Sequence, residues 1–239
     1  MKVIPSIDLL GGKVVRLYQG DYDKVTVYYD DAIEALKMII SKGATRIHIV
    51  DLDGARKGSE SFSLSVNDEV IKRLVQTFNG KIQFQVGGGI RRLSDAKRLI
   101  EIGIDKVIIG SLIFNDYEAY QEIVKQFGDK IILALDVKEG FIKRNGWLID
   151  THMTINELLK SGKIGEVFAI MTTDIAVDGA LTGPNFDLMK VLNEQSYKWI
   201  ASGGVSSRED LEALSKLGIY GAILGKAVFE GMVEDLCDL

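Results

Sequence analysis

The sequence reads as one α/β domain, a (β/α)8 TIM barrel made of two homologous (β/α)4 halves. Three observations predict this. Short runs rich in Ile, Val and Leu alternate with longer amphipathic stretches along the whole chain. Eight such runs fall within 239 residues, a length that suits one large α/β domain with a sizeable core. The second half of the chain repeats motifs of the first at one constant spacing.

The runs, in order, are VIPSID (3–8), RIHIVD (46–51), IQFQV (82–86), KVIIG (106–110), IILALD (131–136), VFAIMT (167–172), KWIAS (198–202) and YGAILG (220–225). Each has the near-continuous apolar character of a strand buried on both faces. Helical patterns lie between them. Residues 30–43 place apolar side chains at 33, 36, 39 and 40 and end in Gly43. Residues 94–103 and 207–218 start with Ser94 and Ser207 as caps and end in Gly103 and Gly218. Strand–helix alternation implies a parallel sheet with right-handed crossovers. Eight units favour closure into a barrel over an open doubly wound sheet.

The repeat is ungapped. VGGGIRRLSDAKRLIEIGIDKVIIGS (86–111) matches ASGGVSSREDLEALSKLGIYGAILGK (201–226). Gly88 pairs with Gly203, Gly89 with Gly204, Gly103 with Gly218 and Gly110 with Gly225. PSID (5–8) resembles LALD (133–136), and VDLDGA (50–55) resembles TDIAVDGA (173–180). The halves are about 1–125 and 126–239, within a single domain spanning 1–239.

Composition excludes several function classes. Lys+Arg number 29 against 34 Asp+Glu, a formal net charge of −5 without a long basic tract. That argues against a nucleic-acid or anionic-membrane partner. One Cys and two His exclude an internal disulfide framework and a His/Cys metal cluster. The apolar stretch at the N-terminus is too short for a signal peptide, and no run has the length of a membrane span. The expectation is a cytoplasmic protein with no metal.

In such a barrel the active site lies at the C-terminal ends of the strands. Strands 3, 4, 7 and 8 end in glycines: Gly88 and Gly89, Gly110 with Ser111, Gly203 and Gly204, and Gly225 with Lys226. Glycine lets backbone N–H groups approach an anion closely, and a following helix start adds positive potential. Two cradles on opposite sides of one mouth suggest a substrate with a phosphate at each end. Strands 1 and 5 end instead in Asp8 and Asp136. By parity Asp8 shares a face with Ser6 and Ile4, and Asp136 with Ala134 and Ile132. Two carboxylates flanking a substrate held by its ends can act as general acid and general base. Thr173 can orient a neighbouring carboxylate, and Asp178 can bind a ribose hydroxyl or brace a loop. For Asp51 and Asp174, rim hydrogen bonding and function both stay open. Residues 11–24 read as a mobile lid from which Arg16 could reach a substrate anion. Residues 141–151 form a second long segment, in which Trp147 either stacks on a planar heterocycle or packs within the loop. His48 is expected to face the helices, His152 to be solvated, and Cys237 to be a bystander.

The segments IPSIDLLGGKVVRLYQGDY, IHIVDLDGA, QVGGGIR, LALDV, the GW pair, TTDIAVDGALTGPN, ASGGV and ILGKA occur in order over essentially the whole chain. They resemble the phosphoribosylformimino-5-aminoimidazole carboxamide ribotide isomerase (ProFAR isomerase) family of histidine biosynthesis. The resemblance implies a cofactor-free barrel enzyme whose bisphosphorylated aminoaldose undergoes an Amadori rearrangement to the aminoketose. It implies catalytic roles for Asp136 as general acid, Asp8 as general base and Thr173 as their support. A monomer without an obligate protein partner is expected. The chain departs from the family pattern at Val177 and Ala180, which flank the DG pair. Relatives that also isomerise phosphoribosylanthranilate carry Arg two residues before the Trp, where this chain has Asn145 with Arg144 before it. The alternatives are such a bifunctional isomerase and the cyclase subunit of imidazole glycerol phosphate synthase. That cyclase family resembles IPCLDV at strand 1, where this chain has IPSIDL.

Overall fold

The computed structural model describes residues 1–18, 20–56 and 66–239. Eight parallel strands form a closed ring: Lys2–Leu10, Arg46–Asp51, Gln83–Gly87, Lys106–Ile109, Ile131–Lys138, Ala169–Asp174, Trp199–Ser202 and Gly221–Leu224. They are strands 1 to 8 below. Each pairs with its sequence neighbour. The ring closes where strand 8 pairs with strand 1, from Lys2 opposite Gly221 to Pro5 opposite Leu224. Every expected strand is present, and helices follow on the outside. The architecture is the (β/α)8 barrel.

Both faces of each strand are buried, which is why the runs are so uniformly apolar. Ile4, Ile108, Ile132, Ala169, Met171, Ile200 and Ile223 fill the barrel interior. The alternate residues, such as Val3, Ile7, Leu9, Ile47 and Ile49, pack under the helices. Asp8 therefore follows Ile4 and Ser6 on the inward face, and Asp136 follows Ile132 and Ala134, as the parity argument requires.

Strand 2 corrects one expectation. His48 is register-paired with Ser6 and so points into the barrel, not toward the helices. Its Nδ1 meets Gln85 Nε2 at 3.0 Å. Burial lowers its pKa to about 4, so the ring is neutral. The alternation between His48 and Asp51 was read correctly, but Asp51 is the outward member. A polar ring is tolerated inside because Gln85 on the next strand bonds it.

Helix ends follow local chemistry. The helix Ala32–Ser41 starts at Asp31, whose carboxylate accepts from the Ile33 N–H. Ser207 caps Arg208–Lys216 by accepting from the Asp210 N–H. Ser94, in contrast, lies inside Leu93–Glu101 and caps nothing. There the Asp95 carboxylate reaches back to the N–H groups of Arg91 and Arg92, which starts the helix earlier.

The segments after strands 1 and 5, which sequence marked as a lid and a second long segment, are antiparallel hairpins. Lys13–Tyr18 folds back on strand 1 and pairs outward with Asp21–Tyr29. Gly11 and Gly12, at φ of +56° and +84°, make the tight turn. Val14, Val15 and Leu17 are buried, which holds the first hairpin strand down. Phe141–Arg144 folds back on strand 5, with Ile149–Asp150 beside it. No helix of the described residues is long and apolar enough to cross a membrane.

Candidate active site

Asp8 and Asp136 each stand two residues before the end of strands that lie opposite each other in a ring of eight, so both carboxyls enter the mouth from facing walls. Burial raises the Asp8 pKa to about 6, against the lowering effect of Arg16 and with a further rise from Asp178. The Arg16 guanidinium stands 3.8 Å from the Asp8 carboxylate and 2.7 Å from that of Asp178. Arg16 is delivered by the first hairpin, two residues before its end at Tyr18. Asp178 therefore braces Arg16, the loop-bracing role left open by sequence.

Asp136 is raised as well, again chiefly by burial. Hydrogen bonds from Trp147 and Thr173 pull the other way, and Asp178 adds to the rise. The Trp147 Nε1–H donates to Asp136 Oδ2 at 2.9 Å. Thr173 is register-paired with Asp136 across strands 5 and 6 and is almost fully buried. The Trp147 ring also lies where a Cβ on Gly20 would touch it, so the second hairpin reaches the first across the mouth. Asp136 has no ion pair among the described residues, in contrast to Asp8 beside Arg16.

The strand-end glycines have a packing reason of their own. A Cβ on Gly88 would come within 2.2 Å of the Asp51 carbonyl oxygen, and one on Gly203 within 2.7 Å of the Asp174 carbonyl oxygen. Gly89 stands equally close to the Gly54 carbonyl, and Gly204 to that of Gly183. These close backbone approaches repeat in both halves. Gly110 and Gly225 have more room; Gly225 faces Ser6 Oγ and Arg16. Ser111 Oγ accepts the Asn145 N–H at 2.9 Å, and Lys226 Nζ lies 3.5 Å from the Gly179 carbonyl.

Asp51 and Asp174 serve the rim. The Asn67 amide donates to Asp51 at 2.6 Å and to the Leu9 carbonyl at 2.9 Å, while accepting the Gly12 N–H. Asn185 donates to Asp174 at 2.6 Å and caps the helix Phe186–Asn193. Sequence reasoning missed Asn67 and Asn185. A single Asn carries no pattern, although Asn185 three residues before Leu188 is a readable N-cap. His152 is exposed, as is Cys237. Among the described residues, no group of three or more His, Cys, Asp or Glu is placed to hold a metal.

The arrangement can move protons: two part-buried carboxyls with unlike partners, Asp8 beside a cation and Asp136 beside neutral donors. The family model described as "Histidine biosynthesis protein" matches residues 2–234. A protein of Listeria innocua serovar 6a, named 1-(5-phosphoribosyl)-5-((5-phosphoribosylamino)methylideneamino) imidazole-4-carboxamide isomerase, is 44% identical over 235 residues, 98% of this chain and 95% of its own. Proteins of the same name from Bacillus cytotoxicus and Synechococcus sp. (strain CC9311) are 40% and 38% identical, each over 98% of this chain and covering 95% and 90% of their own lengths.

Proposed function

The chain belongs to the histidine biosynthesis protein family, and on that premise we propose that it performs the isomerisation its relatives are named for, through the two carboxyls at the mouth. It is an aldose–ketose isomerase of histidine biosynthesis. Substrate and product have the same composition, so the reaction needs only proton movements.

Asp136 is the general acid. Burial without a cationic partner favours its protonated form, and it gives its proton to the furanose ring oxygen. The ring C–O bond breaks and the nitrogen lone pair forms the C=N bond of a protonated Schiff base. Asp8 is the general base. Arg16 beside it favours the carboxylate, which removes the C2′ proton. The C2′–H electrons form the C1′=C2′ bond while the C=N electrons return to nitrogen. The resulting enol then tautomerises to the ketose as its hydroxyl proton is lost and C1′ gains one. Each such group typically contributes roughly 10²–10⁴-fold.

The glycine pairs after strands 3 and 4 and after strands 7 and 8, with Ser111 and Lys226 beside them, hold the two phosphates. Trp147 holds the Asp136 carboxyl from the second hairpin. Positioning by both ends converts encounter into a fixed geometry, which supports the proton transfers. The single observation that carries this reading is the unlike environment of Asp8 and Asp136.

The test is direct. Purified protein is incubated with the bisphosphate aminoaldose without ammonia, and products are followed by NMR. The aminoketose is expected. Asp8→Asn and Asp136→Asn should each abolish turnover while the substrate still binds. A variant that retains most of its rate would remove that residue from the mechanism, and consumption only of ketose with ammonia would identify a cyclase instead.

A further inference from the structure

The hairpin after strand 5 turns through three consecutive left-handed residues: Asn145, Gly146 and Trp147 have φ of +55°, +64° and +72°. Glycine takes this conformation freely and Asn tolerates it, but for a bulky Trp it is strained. A strained residue persists only when its surroundings hold it there. At the far end of the turn, Trp147 is held by its bond to Asp136. At the near end, three bonds tie the turn to the segment after strand 4. The Asn145 N–H donates to Ser111 Oγ at 2.9 Å, Asn115 Nδ2 donates to Asn145 Oδ1 at 2.9 Å, and Arg144 donates to Asn115 Oδ1. Asn115 thus uses both ends of its amide to grip the two residues that enter the turn. It closes the short helix Leu112–Asn115 and has no bond to Asp8, Asp136 or Thr173.

We propose that Asn115 is a positioning residue for the isomerisation: by clamping Arg144 and Asn145 it sets the left-handed turn that lays the Trp147 indole N–H on the Asp136 carboxyl. This rests on Asp136 being the general acid and adds the device that orients it. Without the clamp, Trp147 relaxes to negative φ and its N–H leaves the carboxyl. Asp136 then loses a donor that favours its ionised form. The other groups around it keep their places: Thr173 from strand 6, Asp178 after strand 6, Lys143 of the hairpin paired with Asp150, and Asp8 with Arg16 across the mouth. Asp136 therefore holds its proton to higher pH, in poorer alignment with the ring oxygen.

The experiment uses Asn115→Ala in the full chain, read in two ways. Steady-state kinetics give kcat and KM against pH. Trp147 emission is titrated with pH, with Trp147→Phe used to subtract the signal of Trp199. In Asn115→Ala, kcat should fall about tenfold, the worth of one aligned hydrogen bond, with KM within about twofold. The alkaline limb of kcat and the Trp147 emission midpoint should move up together. Unchanged kcat and emission would overturn the clamp. So would a lowered melting temperature with an unmoved emission midpoint, which marks a merely structural contact. The two readings fail separately. An inactive Asp136→Asn beside a normal Asn115→Ala rejects the clamp alone. An active Asp136→Asn rejects the general acid, while the emission midpoint of Asn115→Ala still reports on the clamp.

Discussion

Asp8 sits between opposing forces, and the balance has consequences for both rate and stability. Burial raises its pKa to about 6 although Arg16 stands 3.8 Å away. As a general base it must be ionised, so the acid limb of kcat/KM should rise with pH through about 6, while loss of the Asp136 proton sets the alkaline limb. A pH–rate profile flat from pH 5 to 8 would contradict this. The stability effect has the opposite sign. The folded-state pKa lies above the ordinary value of 3.8, so the folded chain is favoured while Asp8 is protonated. That advantage is complete below 3.8 and is lost as pH rises through about 6. At neutral pH the ionised Asp8 is a cost retained for function. Asp8→Asn should therefore stabilise the inactive protein by about 1–2 kcal/mol near pH 7, or a few degrees in melting temperature. The gain should vanish near pH 4. A gain of the same size at both pH values would locate its cause elsewhere. That two carboxyls face each other across the mouth was legible from their places near strand ends. Their partners were not, because the Asp178–Arg16 and Trp147–Asp136 contacts join segments that only the fold brings together.

Elements differed in legibility for a physical reason. A strand buried on both faces writes a continuous apolar run, so all eight barrel strands were readable, with ends displaced by a residue or two. The hairpin strands Lys13–Tyr18 and Asp21–Tyr29 bury less, and the second is largely exposed. VVRLY and KVTVYY do carry strand-forming residues, but their position after a double glycine resembled a lid. Caps show the same limit. In the repeat Ser207 matches Arg92 and Ser94 matches Glu209, so the first helix has no serine at its cap position and only Ser207 bonds a helix N–H. Aspartate at the third helical position reaches back in both helices, so in the first it acts without a serine cap. Ser207→Ala should cost about 1 kcal/mol of stability. Ser94→Ala should cost nothing measurable or stabilise slightly, since Ala is the better helix former. Equal losses in denaturant titrations of the two variants would refute this account of the caps.

A closed barrel has no sheet edge, so its stability depends on the seam where the first and last strands meet. Beside that seam, the C-terminal segment ties strand 1 to the turn that leads into strand 2. The Asp238 carboxylate accepts from Lys2 Nζ at 2.6 Å, the Val3 N–H at 3.0 Å and Thr45 Oγ1 at 3.1 Å, linking strand 1 to the approach of strand 2. The Leu236 N–H adds a bond to the Lys42 carbonyl, and Leu236 itself is fully buried. None of this was visible in sequence, where the only reading of this segment was Cys237 as a bystander. Partial burial raises the Asp238 pKa, but the bonds from Lys2, Val3 and Thr45 and the Lys2 charge outweigh it and leave the pKa lowered. A lowered carboxylate pKa contributes stability above the ordinary value of 3.8 and loses it as pH falls through the folded value. Asp238→Ala should therefore destabilise the barrel at neutral pH. Lys2 is well exposed, so solvent screens the ion pair and the loss should be about 1 kcal/mol, mostly from the Val3 and Thr45 bonds. The same variant should match the parent once pH is low enough to protonate Asp238. Because the contact lies at the bottom of the barrel, kcat at a temperature well below unfolding should not change. Loss of activity without loss of stability would mean that this contact is coupled to the mouth through the strands, and that the two ends of the barrel are not independent.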